Sequence, residues 1–170
     1  ADKNDYSVDV PIILYHNVTT EKTEGACISL EAFTQQIQAL KNAGYNTVSF
    51  DQMIDYVYSG GALPENPICI TFDDGYLSNY ELAFPVLENY QMKATIFVIG
   101  ASVGHKEFYK DTKFPITPHF SYGEAKKMID SGLISIQSHT FDMHQWPAYE
   151  ASENIRKDMA NFENECDEDY

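Results

Sequence analysis

Two short runs carry most of the chemistry in this chain. Thr71-Phe72-Asp73-Asp74-Gly75 closes an apolar run, Ile68-Cys69-Ile70. Ser138-His139-Thr140-Phe141-Asp142-Met143-His144 closes another, Leu133-Ile134-Ser135-Ile136. Both apolar runs read as strands, so two acids and two histidines arrive at two strand ends. A carboxylate with two imidazoles is the donor set of a catalytic zinc-type site that keeps one position open for water. The second carboxylate is then free to act as a base, and the chemistry is metal-assisted hydrolysis. Plainer readings stand beside this one. Adjacent acids at a strand end also serve as turn formers or helix caps. Five histidines in 170 residues are ordinary, and a lone histidine usually satisfies a polar neighbour. Consecutive side chains at a strand end point different ways, which lets one acid reach a metal while the other faces substrate. Gly75 permits a tight turn beside them. Histidines five apart lie ~140° from each other on a helix, so His139 and His144 belong on a loop that folds both back onto one ion.

The elements that position these runs follow from periodicity. Strands are predicted over residues 10–15, 45–50, 68–72, 94–99 and 133–137, each an apolar stretch. Ser29 reads as an N-cap for a helix carrying Leu30, Phe33, Ile37 and Leu40 on one face and closed by Gly44. Further helices are predicted over 51–58, over 77–90 with Pro85 kinking or dividing it, over 121–131 closed by Gly132, and over about 152–163. Residues 100–118 read as a long irregular loop. Alternating strand and helix means parallel strands joined by crossover helices, an α/β fold. Its natural closed form is a barrel with the site at the carboxyl ends of the strands. Five strands fall short of the about eight that a closed barrel needs, so the expectation is an open sheet or part of a larger domain.

Composition narrows the partners. The hydrophobic share of 44% and aromatic share of 14% exclude a disordered chain. A net charge of −15 opposes nucleic acid and anionic membrane surfaces, and best tolerates a neutral or cationic substrate. No apolar stretch approaches the ~18–20 residues of a membrane span. The opening Ala1-Asp2-Lys3-Asn4-Asp5 is polar and shows no signal peptide. Cys27, Cys69 and Cys166 make no disulfide framework. Cys69, inside a strand, is expected as a buried free thiol, with a Cys27–Cys166 bridge left open.

The motifs resemble those of a known family. Thr71-Phe72-Asp73-Asp74-Gly75 followed by a His-Thr loop with a second His is similar to the polysaccharide deacetylases of carbohydrate esterase family 4, the NodB homology domain. Pro11-Ile12-Ile13-Leu14-Tyr15-His16-Asn17-Val18 resembles the start of that domain, and Gln91-Met92-Lys93-Ala94-Thr95-Ile96-Phe97-Val98 the strand after the first motif's helix. The likeness runs from Val10 to the chain end, which leaves 1–9 as an N-terminal extension and 10–170 as the N-terminal two-thirds of such a domain. Many members space the two histidines four apart. The gap of five here resembles the branch acting on exopolysaccharide poly-N-acetylglucosamine.

The resemblance implies a distorted (β/α) barrel of seven to eight strands, incomplete here at its C-terminus. It implies removal of N-acetyl groups from N-acetylglucosamine polysaccharide (exopolysaccharide, peptidoglycan or chitin) at the cell surface or outside the cell. It implies a divalent metal, zinc first, with cobalt, nickel or iron as alternatives. Carried over by position, Asp73 is the base; Asp74, His139 and His144 are the ligands; Thr140 braces the histidine loop. His16 is expected to line the cleft or to satisfy a strand end, and Trp146 to stack on a sugar or to pack under the loop. His105 and His119, in the irregular loop, are expected to be solvated. The family's later Arg-Pro-Tyr-like, aspartate and Leu-x-His motifs do not follow His144, and Arg156 is the only arginine. The expectation is therefore a chain that holds metal but releases little or no acetate. A non-catalytic carbohydrate- or metal-binding module, or a metallohydrolase of another acyl or phosphoryl substrate, is the alternative.

Overall fold

Short apolar runs become strands here because helices cover them. The structure, a computed structural model, describes residues 8–21, 23, 25–108, 110, 113 and 115–142. Among them are seven strands: β1 (Ile12–Tyr15), β2 (Asn17–Thr19), β3 (Cys27–Ser29), β4 (Asn46–Thr47), β5 (Pro67–Phe72), β6 (Ala94–Ile99) and β7 (Ile134–Thr140). Five form one parallel sheet in the order β1-β5-β6-β7, with β4 on the start of β5. The α/β class read from the alternation is observed, with a parallel sheet. All six residues of β5 are buried, as a central strand with both faces covered requires.

Four helices make the crossovers: α1 (Leu30–Asn42), α2 (Phe50–Ser59), α3 (Phe84–Tyr90) and α4 (Tyr122–Asp130). Ser29 caps α1 by accepting the Ala32 amide at 3.1 Å. Ser121 caps α4 in a box with Glu124, whose carboxylate takes the Ser121 amide at 2.6 Å. Phe33 and Ile37 of α1, Leu87 of α3 and Met128 of α4 are fully buried in one core with Ile70, Phe72 and Ile96 of the sheet. Tyr15, Phe33 and Phe72 pack edge-on or tilted, with ring centroids 5.1–5.7 Å apart. Truncating such a buried ring costs about 3–5 kcal/mol.

One local expectation changes and another is met. The strand expected over 45–50 is only Asn46–Thr47, because Ser49 caps α2 through a box with Gln52 and Phe50 begins the helix. The helix expected over 77–90 is divided as Pro85 requires. A π-helical turn over Asn79–Ala83 precedes α3, and the proline sits in the first turn of α3. The parallel pair β2–β3 is additional. The helix expected near 152–163 lies outside the described residues. No described helix is long and apolar enough to cross a membrane.

Candidate active site

Parallel strands bring their carboxyl ends to one edge, where open α/β sheets hold ligands. His16 follows β1, Asp73 and Asp74 follow β5, and His139 is the penultimate residue of β7. The three positions reach that edge from β1, β5 and β7, which are joined in the sheet through β5–β6 and β6–β7 pairing.

The turn after β5 is tightly specified. The Asp73 amide extends the ladder to the Tyr15 carbonyl at 3.0 Å, and the Gly75 amide turns back to the Asp73 carbonyl at 3.0 Å. Asp74 has φ +71° and Gly75 φ +80°. A left-handed aspartate is tolerated where surroundings impose it, which marks a constrained site. A Cβ on Gly75 would stand 2.9 Å from Val98 Cγ1, so only glycine fits this turn against β6.

The strand β7 supplies the partner through an irregularity. Val98 pairs with Ser138 but Ile99 with Thr140, so β7 carries one residue more than β6 there, and that residue is His139. An extra residue bends a strand and re-aims its side chain. His139 Nε2 stands 3.6 Å from Asp74 Oδ1. Two donors each ~2.1 Å from a tetrahedral zinc are ~3.4 Å apart, so this pair fits two positions of one ion. Among the described residues no third His, Cys, Asp or Glu completes the group. His144, the third expected ligand, and Trp146 lie outside the described residues, as does Cys166.

The histidine segment is anchored from residues 100–118. The Ala101 amide donates to the Phe141 carbonyl at 2.8 Å, and the Phe141 ring lies against Gly100, where a Cβ would meet it at 2.9 Å. Lys110 Nζ pairs with Asp142 Oδ2 at 2.6 Å. Thr140 itself sits in the ladder opposite Ile99. His16 is half-buried in a groove of about 420 Å³ with Tyr15, Cys27 and Gln36, and its carbonyl accepts from Asn79 Nδ2 at 2.8 Å. Cys69 is buried and free, and Cys27 is also unbridged.

His119 is not solvated. It is 3% exposed, because the end of the irregular loop pairs with the turn after β5. Leu77 N donates to Pro118 O at 2.7 Å and Phe120 N to Gly75 O at 3.3 Å, which sets Tyr76 opposite His119 in an antiparallel bridge. His105 is half-buried. Tyr76, unremarked in the sequence, stands two residues from Asp74 with its ring against that of His119, centroids 5.0 Å apart. Burial pushes the Tyr76 hydroxyl well up, and the Asp74 carboxylate adds to it. Burial pulls the His119 imidazole down, against the opposing pull of the Thr117 carbonyl and the Asp74 charge.

Comparison with known proteins bears on this edge. A family model described as polysaccharide deacetylase matches residues 60–167. YxkH of Bacillus subtilis, a protein named for the polysaccharide deacetylases, is 34% identical over 140 residues, 82% of this chain and 45% of its own length. The poly-β-1,6-N-acetyl-D-glucosamine N-deacetylase of Staphylococcus aureus is 29% identical over 131 residues, 77% of this chain and 43% of its own. The chain thus spans less than half the length of these two relatives. Among solved structures, a de-N-acetylase of Aggregatibacter actinomycetemcomitans superposes with TM-score 0.69 at 28% identity, over 80% of this chain and 56% of that one. IcaB of Ammonifex degensii superposes with TM-score 0.65 at 30% identity, over 81% and 56%.

Proposed function

The chain belongs to the polysaccharide deacetylase family, and on that premise we propose that it serves a metal-dependent hydrolase removing N-acetyl groups from N-acetylglucosamine polysaccharide. Poly-β-1,6-N-acetylglucosamine is the first candidate, in keeping with the named activity of the Staphylococcus aureus relative. The observation that carries the reading is the 3.6 Å approach of His139 Nε2 to Asp74 Oδ1, with Asp73 one residue away. Asp74, His139 and His144 are the proposed ligands of one divalent ion, zinc by preference.

The rest is assigned to this chain's own groups. A divalent ion held there supplies Lewis acidity towards the amide carbonyl. Asp73 takes a proton from the attacking water. The water oxygen bonds to the acetyl carbon, the C–N bond breaks, and the products are acetate and a protonated amine. That product is cationic, and a protein with a net charge of −15 accepts it without repulsion. The parallel sheet is read as part of a distorted (β/α) barrel, and the polymeric substrate favours a secreted or cell-surface protein.

Two measurements test the reading. Purified wild-type chain should carry one zinc by elemental analysis, and His139→Ala should carry almost none, because the remaining donors compete poorly with water. The full gene product should release acetate from poly-β-1,6-N-acetylglucosamine oligomers only when metal is present. Equal zinc in both chains, or acetate release indifferent to a chelator, overturns it.

A further inference from the structure

One aromatic ring at the carboxyl edge of the sheet is both fixed and uncovered. Phe141 stands two residues past His139 and is 57% exposed. Its seat is Gly100, the first residue after β6. A Cβ on Gly100 would lie 2.9 Å from the ring's Cδ2 and 3.5 Å from its Cε2. Gly100 is not among the glycines with positive φ. The close approach of the ring, rather than a backbone turn, is what leaves no room for a side chain there.

The backbone is pinned on both sides of the ring. Thr140 pairs with Ile99 in the ladder, the Ala101 amide donates to the Phe141 carbonyl at 2.8 Å, and Lys110 Nζ meets Asp142 Oδ2 at 2.6 Å. The same stretch reaches the proposed ligands. The Ile99 amide donates to the Asp74 carbonyl at 3.3 Å, and Gly100, against which the ring lies, is the next residue. A ring held in place before binding loses little freedom when a ligand covers it. The ligand that suits it is flat, uncharged and rich in C–H bonds. In a β-linked N-acetylglucosamine unit the ring substituents are equatorial, so its two faces carry C–H bonds alone. The negative face of an aromatic ring attracts such C–H groups. A neutral sugar also meets no repulsion from a net charge of −15.

We propose that Phe141 is a specificity-determining contact for the polysaccharide. The uncovered part of its ring stacks on the face of an N-acetylglucosamine unit and, with Gly100 as its seat, holds the polymer at the edge where Asp74 and His139 meet. The inference rests on the reading of this edge as a deacetylase site. Such a contact is made equally with the bound substrate and in the transition state, so it lowers KM and leaves kcat nearly alone.

The experiment measures acetate release from poly-β-1,6-N-acetylglucosamine oligomers by the zinc-loaded full gene product and four variants. Phe141→Leu keeps an apolar side chain over Gly100 and removes the aromatic face. It should raise KM roughly 2–12-fold, the range of one aromatic contact, with zinc content as in wild type. Phe141→Tyr keeps the ring and should bring KM back towards the wild-type value. Gly100→Ala tests the seat: its Cβ displaces the ring and should raise KM in the same way. An unchanged KM in Phe141→Leu overturns the proposal. So does a loss of kcat or of zinc larger than the rise in KM, since that marks a merely structural role. His139→Ala is the control for the site. If it abolishes acetate release while Phe141→Leu works as wild type does, the stacking contact is overturned and the deacetylase reading stands. If wild type releases no acetate from these oligomers, the deacetylase reading fails and the inference falls with it.

Discussion

Asp73 and Asp74 are adjacent in the chain and differ in everything around them. Asp74 is buried, left-handed and beside His139. Asp73 is half-buried and continues the β1–β5 ladder through its amide. The two should therefore not be interchangeable. On the proposed roles, Asp73→Asn should keep its zinc within about twofold but lose ~10²–10⁴-fold in turnover, since it removes the proposed base and no proposed ligand. Asp74→Asn should lose both. Elemental analysis beside acetate release from N-acetylglucosamine oligomers decides it, and a site emptied by Asp73→Asn would reverse the roles. These acids and His139 were legible in the sequence because acids and imidazoles at the ends of apolar runs are few. The packing of Tyr76 on His119 was not, Tyr76 being one of twelve tyrosines with nothing local to mark it. Nor was the burial of His119. It follows from backbone pairing between residues 118–120 and 75–77, and no local pattern encodes a bridge between segments so far apart.

Elements announced by caps were read well, and those set by tertiary pairing were not. Ser29, Ser121 and the glycines after α1 and α4 are local chemistry, and they stand where the sequence put them. The Ser49–Gln52 box was equally available, but Tyr45, Val48 and Phe50 around it imitate a strand. β2 and β3 have three residues each, too few for periodicity to register. The extra residue at His139 is a property of two strands together, invisible in either alone. The turn after β5 offers a test of how sharply an element end is constrained. Gly75→Ala meets both a positive φ and Val98 at 2.9 Å. Left-handed strain of ~1–2 kcal/mol plus overpacking of ~1–3 kcal/mol predicts a melting temperature lower by roughly 5–15 °C. Gly132→Ala shares the positive φ but meets nothing within 4 Å, so it should lose only the ~1–2 kcal/mol of backbone strain. Calorimetry of the two variants separates the terms, and equal losses would show that Val98 yields without cost.

For the molecule as a whole, alternation of strand and helix gave the α/β class, because each crossover buries one face of the sheet. The order β1-β5-β6-β7 was beyond reach, since it depends on which buried strands find each other. That common core has a consequence for stability against pH. Burial in β5 pushes the Cys69 thiol from 9.0 up to about 11, and burial also raises the Tyr15 hydroxyl above its ordinary 10.0. Both groups are neutral when protonated, so the folded state keeps protons that the unfolded chain gives up. Between pH 7 and about 9 neither state ionises at Cys69, and its contribution is constant. Above about 9 the unfolded thiol ionises while the folded one resists, so stability falls with rising pH until the folded group titrates near 11. The urea midpoint should accordingly be flat from pH 7 to 8.5 and decline from pH 9 to 11. Rising negative charge adds a decline of its own on a chain already at −15. Cys69→Ala, measured at the same ionic strength, isolates the thiol: its curve should start lower, because a buried group is lost, and decline less steeply. A thiol reagent gives the independent check at pH 8, where Cys69 should react only after unfolding and the half-buried Cys27 in the native protein. A Cys69→Ala curve parallel to wild type above pH 9, or native-state labelling of Cys69, would show that β5 opens to solvent far more readily than a fully buried central strand permits.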